Sequence, residues 1–302
     1  MTIRLVVLGT SCSNPTVERN LTAIGLRFEG NWLLFDCPEG TQRQMMKANA
    51  SYMRVHSIFL SHFHADHVLG LPGLIATMAM HGRDTPLHVF GPRGTKKEIA
   101  KVMDLALMKK NFEIRVKEVS SGLVTKHGKY TVSAMPLKHT AKCLGYVFKE
   151  KDKEGKFQRE KALKLGIPEG PLWSQLQQGK KAKVGKKEFK PEQVMDYDKG
   201  RKGKKVSIVM DTLPSDSYFD AIKDSDVLVH EAAFLDKHVS RAKETKHSTA
   251  KQAAWVASQT NAKKLVIVHI SPRYKKNSLV ENEARQEFGN VVVPKDLEEI
   301  EV

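Results

Sequence analysis

The chain has 302 residues, 40 % of them hydrophobic, enough to bury a full core in one large α/β domain or two smaller ones. No stretch approaches the roughly 18 uninterrupted apolar residues of a membrane span, and Met1 to Thr10 reads as a strand, so a soluble, unexported, cytoplasmic protein with no membrane contact is expected. Cys12, Cys37 and Cys143 lie far apart with no CxxC pair, which argues against a disulfide framework or a cysteine zinc finger, while a formal charge of +16 points to a polyanionic partner.

In chain order, short aliphatic or β-branched runs occur at Leu5 to Leu8, Trp32 to Phe35, Ile58 to Leu60, Thr131 to Leu137, Val206 to Met210, Val227 to Val229 and Leu265 to Val268. Each is followed by a turn or an amphipathic stretch, the alternation of an α/β sandwich. Several runs close on a polar residue: Asp36, His62, His139, Asp211, His230 and His269. In layered α/β folds the ends of successive strands converge on one edge, where ligand sites collect.

Between Phe148 and Val206 this pattern gives way to Lys, Gly, Gln and Glu, with short apolar clusters at Leu163, Leu165, Ile167 and at Leu172, Trp173, Leu176. Residues 149–205 hold 18 Lys and Arg against 9 Asp and Glu, a net of +9, while the other 245 residues hold +7. The segment reads as an insertion projecting from a core of 1–148 and 206–302. Its glycines and prolines, among them Gly166, Pro168, Gly170 and Pro171, predict a hinged arm with short helices rather than a packed subdomain.

The most informative segment is SHFHADHVLGLPG at Ser61 to Gly73. His62 and His64 lie two apart at a strand end, so in extended backbone their side chains face the same way. Asp66 and His67 follow on the turn into a helix expected to begin near Val68. Four ligand-type side chains within six residues are costly to pack as a core, because each needs a partner once desolvated. A metal satisfies them, and His and carboxylate donors without thiolate suit Zn²⁺, with Mn²⁺, Co²⁺ or Fe²⁺ as substitutes. His139, Asp211 and His269, each closing an apolar run, complete a set of seven. That is too many for one catalytic ion and suits two ions sharing a bridging carboxylate, an arrangement adapted to displacement at phosphorus.

His62-Phe63-His64-Ala65-Asp66-His67 resembles the HxHxDH signature of the metallo-β-lactamase superfamily. GTSCSNPTVERN near the start, DCPEGTQRQ at Asp36, GIPEGPLWSQLQQG at Gly166, HEAAF at His230, HSTAKQAA at His247 and HISPR at His269 together resemble the short form of tRNase Z, also called RNase Z, in collinear order over essentially the whole chain. The resemblance implies a metallo-β-lactamase αβ/βα sandwich with a projecting basic arm, residues 149–205 serving as a tRNA-binding exosite. It implies an endoribonuclease that removes the 3′ trailer of precursor tRNA next to the discriminator base, leaving a tRNA 3′-hydroxyl and a trailer 5′-phosphate. By the same resemblance His62, His64 and His139 hold one zinc, Asp66, His67 and His269 hold the other, and Asp211 bridges them. Arg19 and Asn20, Gly170 and Pro171 in the arm, and Arg273 fall in motifs that handle substrate. Relatives of this form are homodimers in which one subunit's arm grips the tRNA cut by the other.

Two positions depart from the family pattern. In Pro15-Thr16-Val17-Glu18-Arg19-Asn20, Val17 stands where many relatives carry lysine, which puts in question how this loop handles a 3′ CCA sequence. The HEAT quartet appears as His230-Glu231-Ala232-Ala233, with its carboxylate in place.

For the chemistry, Asp66 can orient the attacking water and accept its proton, the role the family assigns it. The proton donor to the leaving 3′ oxygen is expected to be His247, since an unperturbed imidazole titrates near 6.5. His247 stands just before a capping-box pattern, Thr249-Ala250-Lys251-Gln252. Glu231, by the resemblance, hydrogen-bonds His247 and keeps it protonated. His56, His81, His88, His127 and His238 fit no such pattern and read as surface or core histidines. The competing readings are a small-molecule hydrolase of the same fold, which does not require a basic arm, and a non-catalytic RNA-binding protein, against which the full ligand set argues.

Overall fold

A computed structural model describes residues 3–105 and 112–302. Among the described residues most strands form two seven-stranded sheets, and four short ones pair off as two two-stranded sheets within 156–196. In spatial order the first runs Glu299–Glu301, Arg4–Gly9, Ala23–Phe28, Asn31–Phe35, Val55–Phe59, Leu87–Gly91 and Ile114–Glu118. The second runs Val291–Val292, Leu265–Val268, Val227–Glu231, Lys205–Val209, Lys142–Glu150, Tyr130–Lys138 and Gly122–His127. Pairing is antiparallel from Glu299–Glu301 to Asn31–Phe35 and parallel onward to Ile114–Glu118.

Continuous apolar strands are what a sheet covered on both faces requires. In the first strand Leu5 and Val7 face the layer between the sheets, while Val6 and Leu8 face the helices. In the second sheet Val206, Ile208, Val227, Val229, Val266 and Val268 face the shared layer, and Val209, Leu228, Leu265 and Ile267 face outward. Leu74, Ile75 and Met78 of the helix Leu71–Met80 cover one outer face, and Ala253, Ala254 and Ala257 of the helix Ala250–Gln259 cover the other. The result is the α/β sandwich expected from the sequence. Strands Ala23–Phe28, Leu87–Gly91, Ile114–Glu118, Gly122–His127, Lys142–Glu150, Val291–Val292 and Glu299–Glu301 complete it beyond the runs read from the sequence.

The chain folds as two compact units, 1–149 with 205–302, and 150–204. Contrary to the expectation of an arm without a packed interior, the second unit has its own apolar centre: Ala162, Ile167, Trp173, Leu176, Ala182, Phe189 and Val194. Trp173 and Leu176 come from the helix Pro171–Gln177, Ala182 and Phe189 from the paired strands Ala182–Val184 and Lys187–Phe189. Leu163 and Leu165, which the sequence groups with Ile167, stay exposed instead. Ile167, Trp173 and Leu176 come from the two short apolar clusters of the sequence, while Ala162, Ala182, Phe189 and Val194 stand alone among polar residues and give no local signal.

Two further differences concern histidines and helix bounds. The helix carrying Asp66 and His67 spans Ala65–Val68, earlier than expected, with Leu71–Met80 starting anew and Pro72 in its first turn. His56, His88 and His127 lie together, His56 stacked on His88 at 5.0 Å between ring centroids and edge-on to His127 at 5.8 Å. All three cysteines are free and buried. Among the described residues no helix is long and apolar enough to cross a membrane.

Candidate active site

Strand direction brings the polar residues to one end of the sandwich. Phe35 pairs with Phe59 in parallel register, so Asp36 and the His62 segment emerge side by side. Val209 pairs with His230, and Glu231 with Val268, which places Asp211, Glu231 and His269 at the same end of the second sheet. Gly70 fixes the short Ala65–Val68 helix against the loop after Asp36: a Cβ there would stand 1.9 Å from the Pro38 carbonyl oxygen. Ser13, Asp36, Lys246 and His269 all adopt left-handed backbone, with φ of 65°, 60°, 55° and 58°. Non-glycine residues in that region concentrate where surrounding structure enforces a functional geometry.

The seven residues named as ligands from the sequence come together. Atoms of His62, His64, His139 and Asp211 lie within 4.8 Å of one another, as do those of Asp66, His67 and His269. Asp211 reaches both groups: Oδ2 is 3.6 Å from His62 Nε2, 3.6 Å from His139 Nε2 and 3.5 Å from His67 Nε2, and Oδ1 is 3.4 Å from His269 Nε2. Asp66 Oδ2 lies 3.6 Å from both His67 Nε2 and His269 Nε2. These separations are too long for hydrogen bonds. They match the spacing of about 3.4 Å between two donors held about 2.1 Å from one tetrahedral zinc ion.

Polar satisfaction gives the same answer. His62 Nε2, His67 Nε2, Asp211 Oδ1 and His269 Nε2 are buried with no hydrogen-bond partner, a costly state for groups aimed at one another. The outer nitrogens of His62, His67 and His139 are engaged. His67 Nδ1 donates to Asp36 Oδ2 at 2.7 Å, His62 Nδ1 to Ser61 Oγ at 3.0 Å, and His139 Nδ1 to the Lys246 carbonyl at 3.1 Å. Ser61 Oγ in turn donates to Asp36 Oδ2 at 2.8 Å. Outer partners of this kind fix the tautomer of metal-binding imidazoles.

Electrostatics also demands positive charge. Burial disfavours the charged form of Asp211, yet His269, His67 and His62 hold its pKa well below the carboxylate range. Burial likewise opposes His67, but Asp211 and Asp36 push it up to about 10, and His269 is raised by Asp211 against the same penalty. His62 is pushed down to about 2 by burial and by the charge on His67. Protons on His67 and His269 answer the carboxylates, and divalent cations compete with them for the same nitrogens.

Beside this cluster opens a cleft of about 410 Å³ lined by Ser13, His64, Asp66, His139, Thr140, Asp211, Arg241, Glu244, Thr245 and His247. Ser13 N donates to Asp66 Oδ2 at 2.9 Å, aiming that carboxylate. His247 Nδ1 faces Glu231 Oε1 at 3.0 Å, and Glu231 is fully buried. Glu231 also accepts from the backbone of Thr212 and Ser248 at 3.0 Å each and of Ala233 at 2.9 Å. Burial opposes a charged His247, yet Glu231 more than offsets it and pushes the imidazole up to about 9. The expected capping box is present: Thr249 Oγ1 accepts from Gln252 N, and Gln252 Oε1 from Thr249 N.

The remaining residues named from the sequence lie elsewhere. Arg19 is buried, its Nη2 donating to Asn277 Oδ1 at 2.5 Å, and Asn20 N donates to Asp296 Oδ2 at 2.6 Å. Val17 is 99 % exposed. Arg273 lies over the Phe234 ring at 5.0 Å, and Phe234 packs edge-on to His247 at 6.1 Å. Gly170 and Pro171 begin the helix Pro171–Gln177, Gly170 with φ 132° and open space around it. His230 is buried inside its strand, against the Tyr218 hydroxyl at 3.2 Å. Sequence reasoning did not give Asp36, Ser61 or Lys246 a part. Asp36 carried the available signal, since it closes an apolar run as His139 and Asp211 do.

The Beta-lactamase superfamily domain matches residues 31–157. The chain is 43 % identical to Ribonuclease Z of Methanosarcina mazei, over 99 % of this chain and 98 % of that protein. It is 39 % identical to Ribonuclease Z of Methanothermobacter thermautotrophicus, over 99 % and 97 %. The crystal structure of human tRNase Z, short form, superposes with a TM-score of 0.72 at 26 % identity, covering 98 % of each chain. Full-length likeness on this scale, joined to a His and Asp cluster that can hold divalent metal, places the chain in the ribonuclease Z family of the metallo-β-lactamase superfamily.

Proposed function

We propose that the chain is a zinc-dependent endoribonuclease that removes the 3′ trailer of precursor tRNA beside the discriminator base. A single juxtaposition carries this reading: the Asp66 carboxylate and the Glu231-supported His247 line the same open cleft as the seven-residue cluster. In it His62, His64 and His139 would hold one zinc and Asp66, His67 and His269 the other, with Asp211 within reach of both. When bound, the two cations supply Lewis acidity at phosphorus and a water acidified to near neutral pH.

The protein groups divide the proton transfers. Asp66, held by the Ser13 amide, orients the attacking water and accepts its proton. His247 directs Nδ1 at Glu231, leaving Nε2 to deliver a proton to the departing 3′ oxygen as the phosphorus–oxygen bond breaks. The water oxygen stays on the trailer as its 5′-phosphate, and the tRNA leaves with a 3′-hydroxyl. Glu231, saturated by three backbone amides and His247, keeps that imidazole charged and oriented. Arg273, over Phe234, supplies a cation for the RNA backbone.

The unit Glu150–Lys204 grips the tRNA backbone away from the cut, supported by the net +9 of residues 149–205. The active form is a cytoplasmic homodimer, as the family resemblance implies. A small-molecule hydrolase on this fold is not favoured, since the relatives that match end to end carry the name Ribonuclease Z. The decisive experiment incubates purified protein with a labelled 3′-extended precursor tRNA and maps both product ends. A cut beside the discriminator base with a 3′-hydroxyl is expected; a cyclic phosphate or no cut overturns the reading.

A further inference from the structure

The helix Val239–Thr245 ends in backbone geometry that ordinarily belongs to glycine. Lys246 follows it with φ 55° and ψ 52°, its N–H bonding back to Lys243 O at 3.3 Å while His247 N bonds to Ala242 O at 2.8 Å. This nested pair of bonds is a common helix stop, and glycine fills its left-handed position because a Cβ is disfavoured there. A lysine persists in such a conformation only where its surroundings over-determine it.

What surrounds Lys246 is His139. The Lys246 carbonyl accepts from His139 Nδ1 at 3.1 Å, and Lys246 Nζ donates to the His139 carbonyl at 3.3 Å. The two ends of one residue thus grip the two ends of another, 107 positions earlier in the chain. With its Nδ1 proton committed, His139 turns a bare Nε2 toward Asp211 Oδ2 at 3.6 Å and His64 Nδ1 at 3.3 Å. The next residue along is His247, whose ring centroid lies 5.1 Å from that of His139. A glycine would end the helix with less strain but would have no amine to close the second contact.

We propose that Lys246 is a positioning residue: a two-point clasp that fixes the tautomer and orientation of His139 and sets its separation from His247. The inference rests on reading His139 as a metal ligand and His247 as the proton donor. Lys246 itself does neither task. It ties the loop that presents the acid to the histidine that holds the metal, so the two move as one body.

The test uses the full-length protein and four variants. Lys246→Gly keeps the left-handed turn and loses the amine, Lys246→Met loses the donor alone, Lys246→Val disfavours the turn itself, and Lys246→Arg restores a donor. Zinc release to a competing chelator, ¹⁵N NMR of the His139 ring in metal-free protein, and kcat and KM on precursor tRNA and on a small chromogenic phosphodiester are measured. Lys246→Val should release zinc about 10-fold faster, the usual consequence of losing an outer partner of a metal histidine. It should also mix the His139 tautomers. Lys246→Gly and Lys246→Met should fall between it and the parent, with kcat lowered more than KM is raised on both substrates, and Lys246→Arg should recover most of the zinc retention.

Parental zinc release in the Val variant with an unmixed His139 tautomer would overturn the clasp. So would an effect confined to KM for precursor tRNA, which would make the lysine a phosphate contact. His139→Ala serves as the reference. If it keeps its zinc, the ligand assignment fails, a result distinct from failure of the clasp.

Discussion

The core unit and the unit Glu150–Lys204 are stabilised in opposite ways. Beyond its apolar layers the core carries, at one end and beside an open cleft, a polar centre in which inward atoms of His62, His67, His269 and Asp211 have no hydrogen-bond partner. The smaller unit packs apolar residues around Trp173 and leaves most of its lysines on the outside. A centre built from unsatisfied polar groups gains stability from a bound cation, because binding to the folded state alone shifts the folding equilibrium. A small apolar centre ringed by charge gains nothing from metal and responds to polyanions and salt. Binding of metal and grip on RNA are therefore expected to be separable properties of the two units.

The largest effect should come from the shared carboxylate. Asp211→Ala removes the carboxylate within reach of both histidine clusters, and we expect loss of metal by elemental analysis together with loss of all hydrolysis. His64→Ala, or chelation of the parent, should do the same. Full activity in protein shown to contain no transition metal would break the comparison at its root.

Next is His247→Ala, for which a fall in turnover of about 10² to 10⁴ on precursor tRNA is expected with zinc content unchanged. A phosphodiester with a phenolate leaving group hardly needs a proton and should suffer far less. Equal losses on both substrates would indicate structural damage.

Excision within the smaller unit sharpens the contrast. Lys153 and Arg201 pair through two backbone hydrogen bonds of 2.9 and 2.8 Å, so the cut belongs between them. Replacing 154–200 by a short Gly/Ser loop should weaken precursor tRNA binding on the order of 10²-fold and flatten its salt dependence. The small phosphodiester should be hydrolysed at nearly the parental rate. An unchanged salt slope would mean that recognition lies elsewhere, and loss of zinc would mean that the segment supports the core.

The smallest effect concerns the stem of that unit. Arg201 forks onto Glu150 with two contacts of 2.7 Å. Burial works against the carboxylate, but Arg201 and the Lys204 amide outweigh it and hold its pKa below the ordinary value. A group depressed in the folded chain stabilises above its unfolded pKa, and that contribution disappears as pH falls through the folded value. The protection factors of the stem amides, with the pH dependence of intrinsic exchange divided out, should therefore fall below about pH 4.3 in the parent. Glu150→Gln should exchange faster at neutral pH and lack the acid step; an identical acid step in the variant would assign it to another group.

How far the sequence discloses all this depends on how local each signal is. The His62 to His67 segment is legible because its four polar side chains fall within six residues, and His139, Asp211 and His269 because each ends an apolar run. Asp36 ends one too, yet its part in orienting His67 appears only when the register of Phe35 against Phe59 is known. Lys246 gives no sequence signal, since its role rests on a backbone angle and a partner 107 residues away. The interior of the smaller unit is only partly legible: Ile167 and Trp173 fall in short apolar clusters, but Ala182 and Phe189, from a lysine-rich hairpin, join them only on folding. Arg19, grouped by motif with substrate handling, has its guanidinium drawn inward onto Asn277.

The three buried cysteines make the protein its own clock. Cys12 N bonds to Ile270 O, beside His269; Cys37 N bonds to His67 O; and Cys143 Sγ lies 3.8 Å from His62 Nδ1. Burial pushes the Cys37 thiol up to about 12 and raises Cys143 well above the ordinary value, so neither forms the reactive thiolate in the folded chain. None lies within 150–204. A disulfide reagent added to native protein should meet slow thiols, and the pace at which they become reactive times the opening of the unit that carries them.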